Sequence, residues 1–142
     1  YIVRHGCEAD VFRRNYAYQL KEKLDIDAMR EGAKHIVGTH DFACFQAAGG
    51  TPRETTVRTI FDLTVIEENE DTLWIEVTGD GFLYNMVRIM VGTLLYVNNG
   101  KIKCDDIPSI IESKDRTKAG ITAIPDGLYL NKVFYGGESI EA

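Results

Sequence analysis

The chain reads as an α+β domain, a mostly antiparallel sheet with helices packed on one face. Two observations predict this. Apolar and polar residues alternate through Val57, Thr59, Phe61, Leu63 and Val65 and again through Leu73, Ile75 and Val77, with a charged turn around Asn69 between the runs. Period-two patterning on both sides of a turn is that of an antiparallel hairpin with one face on a core. Two further stretches, one with helical spacing and one apolar nearly all round, supply helices to cover that face. With 142 residues, 44% of them hydrophobic, the chain can bury one compact core, so a single domain is expected rather than a disordered segment.

Taken in order, Tyr1-Ile2-Val3 reads as the interior of a strand, with no turn or polar lead-in before it, so the chain is expected to be the later part of a longer protein. Asn15 to Tyr18 is a second short strand. Ile26, Met29, Ala33, Ile36 and Val37 then recur at helical spacing between Asp25, a capping residue, and Gly38. Gln46 to Glu54, with Gly49-Gly50-Thr51-Pro52, is the clearest loop. After the hairpin, Phe82 to Val97 forms the central buried helix, with Asp80 as its cap and Asn98-Asn99-Gly100 as its stop. A shorter helix follows, capped by Asp105 or Asp106, with Pro108 in its first turn and Ile107, Ile110 and Ile111 facing inward. Leu128 to Tyr135 closes as a strand. There is no internal repeat or low-complexity tract.

The formal charge of -6 argues, on composition alone, against a nucleic-acid partner. The acidic residues nevertheless gather at Glu67, Glu68, Glu70 and Asp71, while Arg13, Arg14, Arg53, Arg58, Lys114, Arg116 and Lys118 lie elsewhere, so a local basic surface is compatible with the total. No run resembles a signal peptide or is long enough for a membrane helix, and the chain is expected to be soluble and cytosolic. Cys7, Cys44 and Cys104 are odd in number and scattered, which points to free thiols rather than a disulfide framework or zinc ribbon.

Arg88 stands in the middle of the apolar helix, where an unpaired guanidinium would cost on the order of several kcal/mol, so a carboxylate partner is expected. That partner is either structural, Asp41 or Asp80, or functional and outside this chain. Gly79-Asp80-Gly81 faintly resembles a dinucleotide fingerprint, but the third glycine is missing and an acidic side chain would face the phosphate, so the glycines are architectural. His40, Asp41 and Cys44 fall within five residues yet lack the second pair of a zinc site, and a buried histidine or capping aspartate explains them better. Glu67-Glu68 and Asp105-Asp106 suit a solvated turn and a helix start.

In this order, His40-Asp41-Phe42, Thr56-Val57-Arg58-Thr59-Ile60, the run Gly79-Asp80-Gly81-Phe82-Leu83-Tyr84-Asn85-Met86-Val87-Arg88 with Val91-Gly92, and Asp115-Arg116 through Gly120 to Gly127-Leu128-Tyr129-Leu130 resemble the C-terminal half of the TruA family of tRNA pseudouridine synthases. The resemblance covers nearly the whole chain, and the run ending at Arg88 is its most specific part. It implies half of a pseudouridine synthase fold, and an isomerase that converts uridine to pseudouridine in the anticodon stem-loop of tRNA. It implies no cofactor and no essential metal, and a homodimer that binds tRNA across a cleft built from both halves and both subunits. In that family an aspartate of an Arg-Thr-Asp motif in the N-terminal half attacks the target nucleotide, the glycosidic bond breaks, and the uracil turns and rejoins the sugar through carbon 5. No such motif occurs in these 142 residues, so the chain alone is expected to be inactive.

By the same resemblance, Arg88 matches the active-site arginine that pairs with the aspartate and holds it ionised, and Leu128 matches an apolar contact on the flipped target base. Tyr1 matches the second member of a Tyr-x-Tyr pair. The first, the stacking tyrosine, has no counterpart in these residues. Arg58, Lys114 and Arg116 are the candidates for contacts with the RNA backbone. Gln46 departs from the pattern, in which an arginine commonly follows the second phenylalanine. Two rival readings are a non-catalytic RNA-binding or dimerisation module of the same fold, and a metal- or thiol-dependent hydrolase built on His40 and Cys44.

Overall fold

The computed structural model describes residues 1–12, 15–50 and 55–130. Their strands β1 (Ile2–Arg4), β2 (Tyr18–Gln19), β3 (Gly38–Asp41), β4 (Val57–Asn69) and β5 (Thr72–Gly79) form one five-stranded sheet in the order β2-β1-β5-β4-β3. β1 and β2 run parallel and every other pairing is antiparallel. Helices α1 (Ile26–Lys34), α2 (Met86–Asn98) and α3 (Ile107–Ser113) are the α-helices of the described residues, beside short 3-10 turns at Ala43–Phe45, Cys104–Asp106, Arg116–Lys118 and Pro125–Gly127, with α1 packed against both β4 and α2. The α+β architecture expected from the sequence is therefore the one observed. Val3, Leu63, Val65, Leu73 and Ile75 meet Met29, Ile89 and Leu94 in one continuous core, while Phe61, Ile66 and Trp74 remain exposed.

The hairpin carries two register shifts, one beside its turn between Glu67 and Asn69 and one farther along β4 that breaks the expected alternation. Leu73, Ile75 and Val77 on β5 turn inward as expected, but on β4 the inward residues are Ile60, Leu63 and Val65, and both Val57 and Phe61 are exposed. A register shift between Ile60 and Asp62 explains this: Ile60 pairs with Gly79 and Asp62 with Thr78, which leaves Phe61 as an extra residue. Such a bulge reverses side-chain parity, so the residues before it face the side opposite to that expected.

Asp25 caps α1 as expected, its Oδ1 accepting the Ala28 N–H at 3.1 Å. The helix ends at Lys34, earlier than expected. Ile36 is still fully buried, whereas Val37 is exposed and Gly38 turns the chain at φ +121°. The second strand begins at Tyr18, not at Asn15, which lies with Tyr16 in an exposed turn. The central helix begins at Met86 rather than Phe82, because Asn85 takes a left-handed backbone, φ 58° and ψ 14°, immediately before it. Asp80 does not cap it; its carboxylate accepts the Thr59 N–H at 2.9 Å and its own N–H donates to the Thr59 carbonyl. The stop is as expected, with Asn99 as C-cap and Gly100 at φ +82°. In α3 Pro108 occupies the first turn, all three isoleucines are buried, and Asp106 is the N-cap residue but makes no side-chain capping bond. Leu128–Leu130 are not in a strand, and the rest of the strand expected to Tyr135 lies outside the described residues.

The chain after α3 returns across α2 as a strap, residues 119–124, at backbone contact distance. A Cβ on Gly92 would sit 1.7 Å from the Ile121 carbonyl oxygen, and one on Gly120 would sit 2.4 Å from the Gly92 backbone. Only glycine permits this approach. Thr93 rivets the crossing: its buried hydroxyl accepts the Gly120 N–H at 2.9 Å and donates to the Ile89 carbonyl at 2.8 Å. No helix among the described residues is long and apolar enough to cross a membrane.

Candidate active site

The strap and the α2 N-terminus together hold Arg88. Its Nε donates to the Ala123 carbonyl at 2.6 Å and its Nη1 to Asn85 Oδ1 at 3.0 Å. The left-handed turn at Asn85 places that amide where the guanidinium can reach it. Ala123 in turn donates its N–H to the Arg88 carbonyl at 3.1 Å. The carboxylate partners considered from the sequence are engaged elsewhere. Asp41 Oδ1 accepts from the Thr56 hydroxyl and from the Ala43 N–H, its Oδ2 lies 3.7 Å from Lys114 Nζ, and Asp80 bonds Thr59. The Thr56 hydrogen bond chiefly, with help from Ala43 and Lys114, holds the Asp41 carboxyl below its ordinary range. Among the described residues no carboxylate forms an ion pair with Arg88, and its Nη2 donates to none of them. The result is a half-buried guanidinium, oriented by two neutral acceptors, with one edge open to an anion.

Tyr1 joins this site from β1's leading edge. It is buried, and its phenol donates to the Ile124 carbonyl at the end of the strap. Burial pushes that phenol well above its ordinary range, reinforced by Tyr18 and Asp126, while the nearby Arg88 charge acts the other way. Gly127 packs directly on it: a Cβ there would meet the Ile2 carbonyl at 2.6 Å and the Tyr1 ring at 2.7 Å. Leu128 follows that turn, anchored by its N–H to the Pro125 carbonyl at 2.9 Å, with its side chain exposed. The structure thus brings Arg88, Tyr1 and the turn leading to Leu128 together through one strap.

Of the basic candidates, Arg58 lies half-buried on β4, donating to the Thr55 and Val57 carbonyls at 2.8 and 2.7 Å, and it closes over Gly81. Lys114 is exposed and partly neutralised by Asp41. Arg116 donates to the Gly120 carbonyl at 2.7 Å and to the Thr122 hydroxyl at 3.1 Å, both within the strap. Asn85 and Ala123 were missed in the sequence; a left-handed asparagine directly before a helix carries no local signal, and a backbone carbonyl carries none at all.

The other cluster does not assemble. The His40 ring donates to the Val37 carbonyl at 3.2 Å and meets the edge of Phe42. Cys44 is fully buried, and burial pushes its thiol up to about 11, which is the wrong direction for a nucleophile. The three cysteines are unpaired, as expected.

With this geometry in view, a family model described as tRNA pseudouridine synthase matches residues 33–136. A protein named tRNA pseudouridine synthase A from a Thermoanaerobacter species is 55% identical over 122 residues, covering 86% of this chain and 49% of the relative. The Bacillus subtilis protein of that name is 50% identical over 135 residues, 95% of this chain and 54% of the relative. A Clostridium perfringens protein named tRNA pseudouridine synthase A 2 is 49% identical over 135 residues, with the same coverage. The chain spans about half the length of the curated relatives it matches.

Proposed function

Because this chain belongs to the TruA family of tRNA pseudouridine synthases, we propose that it is the C-terminal half of such an enzyme and supplies one wall of a site that isomerises uridine to pseudouridine in the anticodon stem-loop of tRNA. The observation that carries this reading is the open edge of Arg88, a charge oriented by Ala123 and Asn85 and lacking a carboxylate among the described residues. An aspartate from the N-terminal half completes the pair. Arg88 keeps that aspartate ionised and aimed, as a nucleophile in a partly dry pocket requires. When the aspartate bonds to the nucleotide, the bond from uracil N1 to the sugar breaks. Rejoining through carbon 5 forms a carbon–carbon bond as the aspartate–sugar bond breaks and frees the carboxylate, carbon 5 loses its proton, and N1 regains one, so the product is an isomer and no co-reactant is consumed.

Leu128 packs on the extruded base, which must leave its stack to reach Arg88. Arg58, Lys114 and Arg116 contact the RNA backbone, which reconciles a chain of net charge -6 with an RNA substrate. The enzyme works in the cytoplasm as a homodimer, without cofactor. The coding sequence directly upstream provides the test, over about one further domain of roughly 100–150 residues. An Arg-Thr-Asp motif there, with an aromatic residue two positions before Tyr1, fits the reading. An in-frame start without them leaves a non-catalytic binding module.

A further inference from the structure

Resting on that reading, we propose that the groove between residues 46–50 and Arg116 binds a backbone phosphate of the tRNA strand. The groove is a cavity of about 390 Å³ lined by Gln46, Ala47, Ala48, Gly49, Gly50 and Arg116. Among its described lining residues the only formal charge is the Arg116 guanidinium. That group is fixed by the Gly120 carbonyl at 2.7 Å and Thr122 Oγ1 at 3.1 Å, and among the described residues it forms no ion pair. The adjacent Asp115 is turned to Thr117, whose N–H and hydroxyl it accepts at 2.9 and 2.6 Å. A fixed guanidinium with unused N–H groups at a concave surface is a ready partner for a tetrahedral anion.

The facing loop fits the same ligand. The Gln46 and Ala47 amides are engaged, by Ala43 and Tyr84, but those of Ala48, Gly49 and Gly50 donate to no described residue. Gly49 has φ +90°, the left-handed backbone that lets successive amides turn toward one anion. The side chains here are too small to fill the space. A Cβ at Gly50 would strike the Tyr84 ring, so this part of the loop lies flat on Tyr84. The groove is also hydrogen-bonded into both supports of Arg88. Ala47 donates to the carbonyl of Tyr84, the residue before Asn85, and Arg116 holds the strap that carries Ala123. An RNA strand presenting a nucleotide to Arg88 is therefore the anion placed to use this groove.

Two variants of the complete synthase test it. R116Q removes the charge but keeps an amide able to bond the Gly120 carbonyl, and A48D adds a carboxylate at an exposed position on the groove while leaving Arg116 in place. Binding of the tRNA is measured between about 50 and 200 mM salt. Each variant is expected to weaken it about tenfold, and R116Q to flatten the slope of log K against log salt by about 0.7 to 0.9, the loss of one phosphate contact. Wild-type affinity and slope in both variants would overturn the assignment, as would a weakened affinity with an unchanged slope in R116Q. If R116Q loses its melting transition, A48D alone decides. A wild-type enzyme that neither binds nor modifies tRNA removes the functional reading and the groove with it, whereas failure confined to the variants removes the groove alone.

Discussion

Ala123 grips Arg88 from both sides of one residue: its N–H donates to the Arg88 carbonyl at 3.1 Å, and its carbonyl accepts from Arg88 Nε at 2.6 Å. The first bond ties the strap to α2 and the second sets the direction of the guanidinium. Any change that lifts the strap from the helix should therefore disturb the fold and the charge together.

Gly92→Ala is the sharpest such change, since its Cβ would fall 1.7 Å from the Ile121 carbonyl oxygen. Backbone cannot yield as a flexible side chain can. A loss of about 2–3 kcal/mol is expected, read as a lower urea midpoint at unchanged slope, together with a fall in turnover of the complete enzyme. Wild-type stability would show that the strap is free to shift.

Asn85 acts on Arg88 through its side-chain amide and its left-handed backbone, and the two can be separated. Asn85→Gly keeps the φ of 58° accessible and deletes the acceptor. Its expected effect is a fall in kcat of about tenfold, the loss of one charge-assisted hydrogen bond, with KM little changed. Asn85→Ala adds a backbone penalty of about 1 kcal/mol, visible in unfolding. Equal kcat for wild type and Asn85→Gly would show that Ala123 orients Arg88 unaided.

His5 gives the fold a dependence on acid. It is buried, its Nδ1 accepts the Leu24 N–H at 3.0 Å, and among the described residues its Nε2 has no hydrogen-bond partner. Burial chiefly, with Lys23, holds its pKa below the ordinary value, outweighing Asp71 and Glu67. The folded protein thus binds this proton less readily than the unfolded chain, whose histidine titrates near about 6.5. The stabilisation is complete above that pH and is lost progressively as the pH falls below it. The urea midpoint should accordingly be lower at about pH 5.5 than at about pH 7.5, and His5→Gln, which can still offer an acceptor to Leu24, should narrow the difference. An unchanged difference in the variant would place the acid sensitivity elsewhere.

The sequence made the hairpin, the amphipathic α1 and the buried α2 legible because each rests on a period that hydrophobic burial imposes. Phe61 concealed the β4 bulge, since it continues the apolar alternation and only the pairing with Gly79 and Thr78 reveals it as an extra residue. Asp80, placed before an apolar run, resembles a helix cap, but the turn at Asn85 lets α2 begin only at Met86 and leaves Asp80 to bond β4. At the site, Arg88 announced itself as a cation in an apolar helix. Its partner Ala123 could not be read, because that contact arises where Gly92 and Gly120 let distant segments touch.

The central claim is that Arg88 waits for a catalytic aspartate, and release of tritium from tRNA labelled at carbon 5 of uridine measures it most directly, because that hydrogen must leave when the new carbon–carbon bond forms. The complete enzyme should release the label, and R88M should release none while still melting cooperatively and binding tRNA. Release by a folded R88M at the wild-type rate would contradict the account.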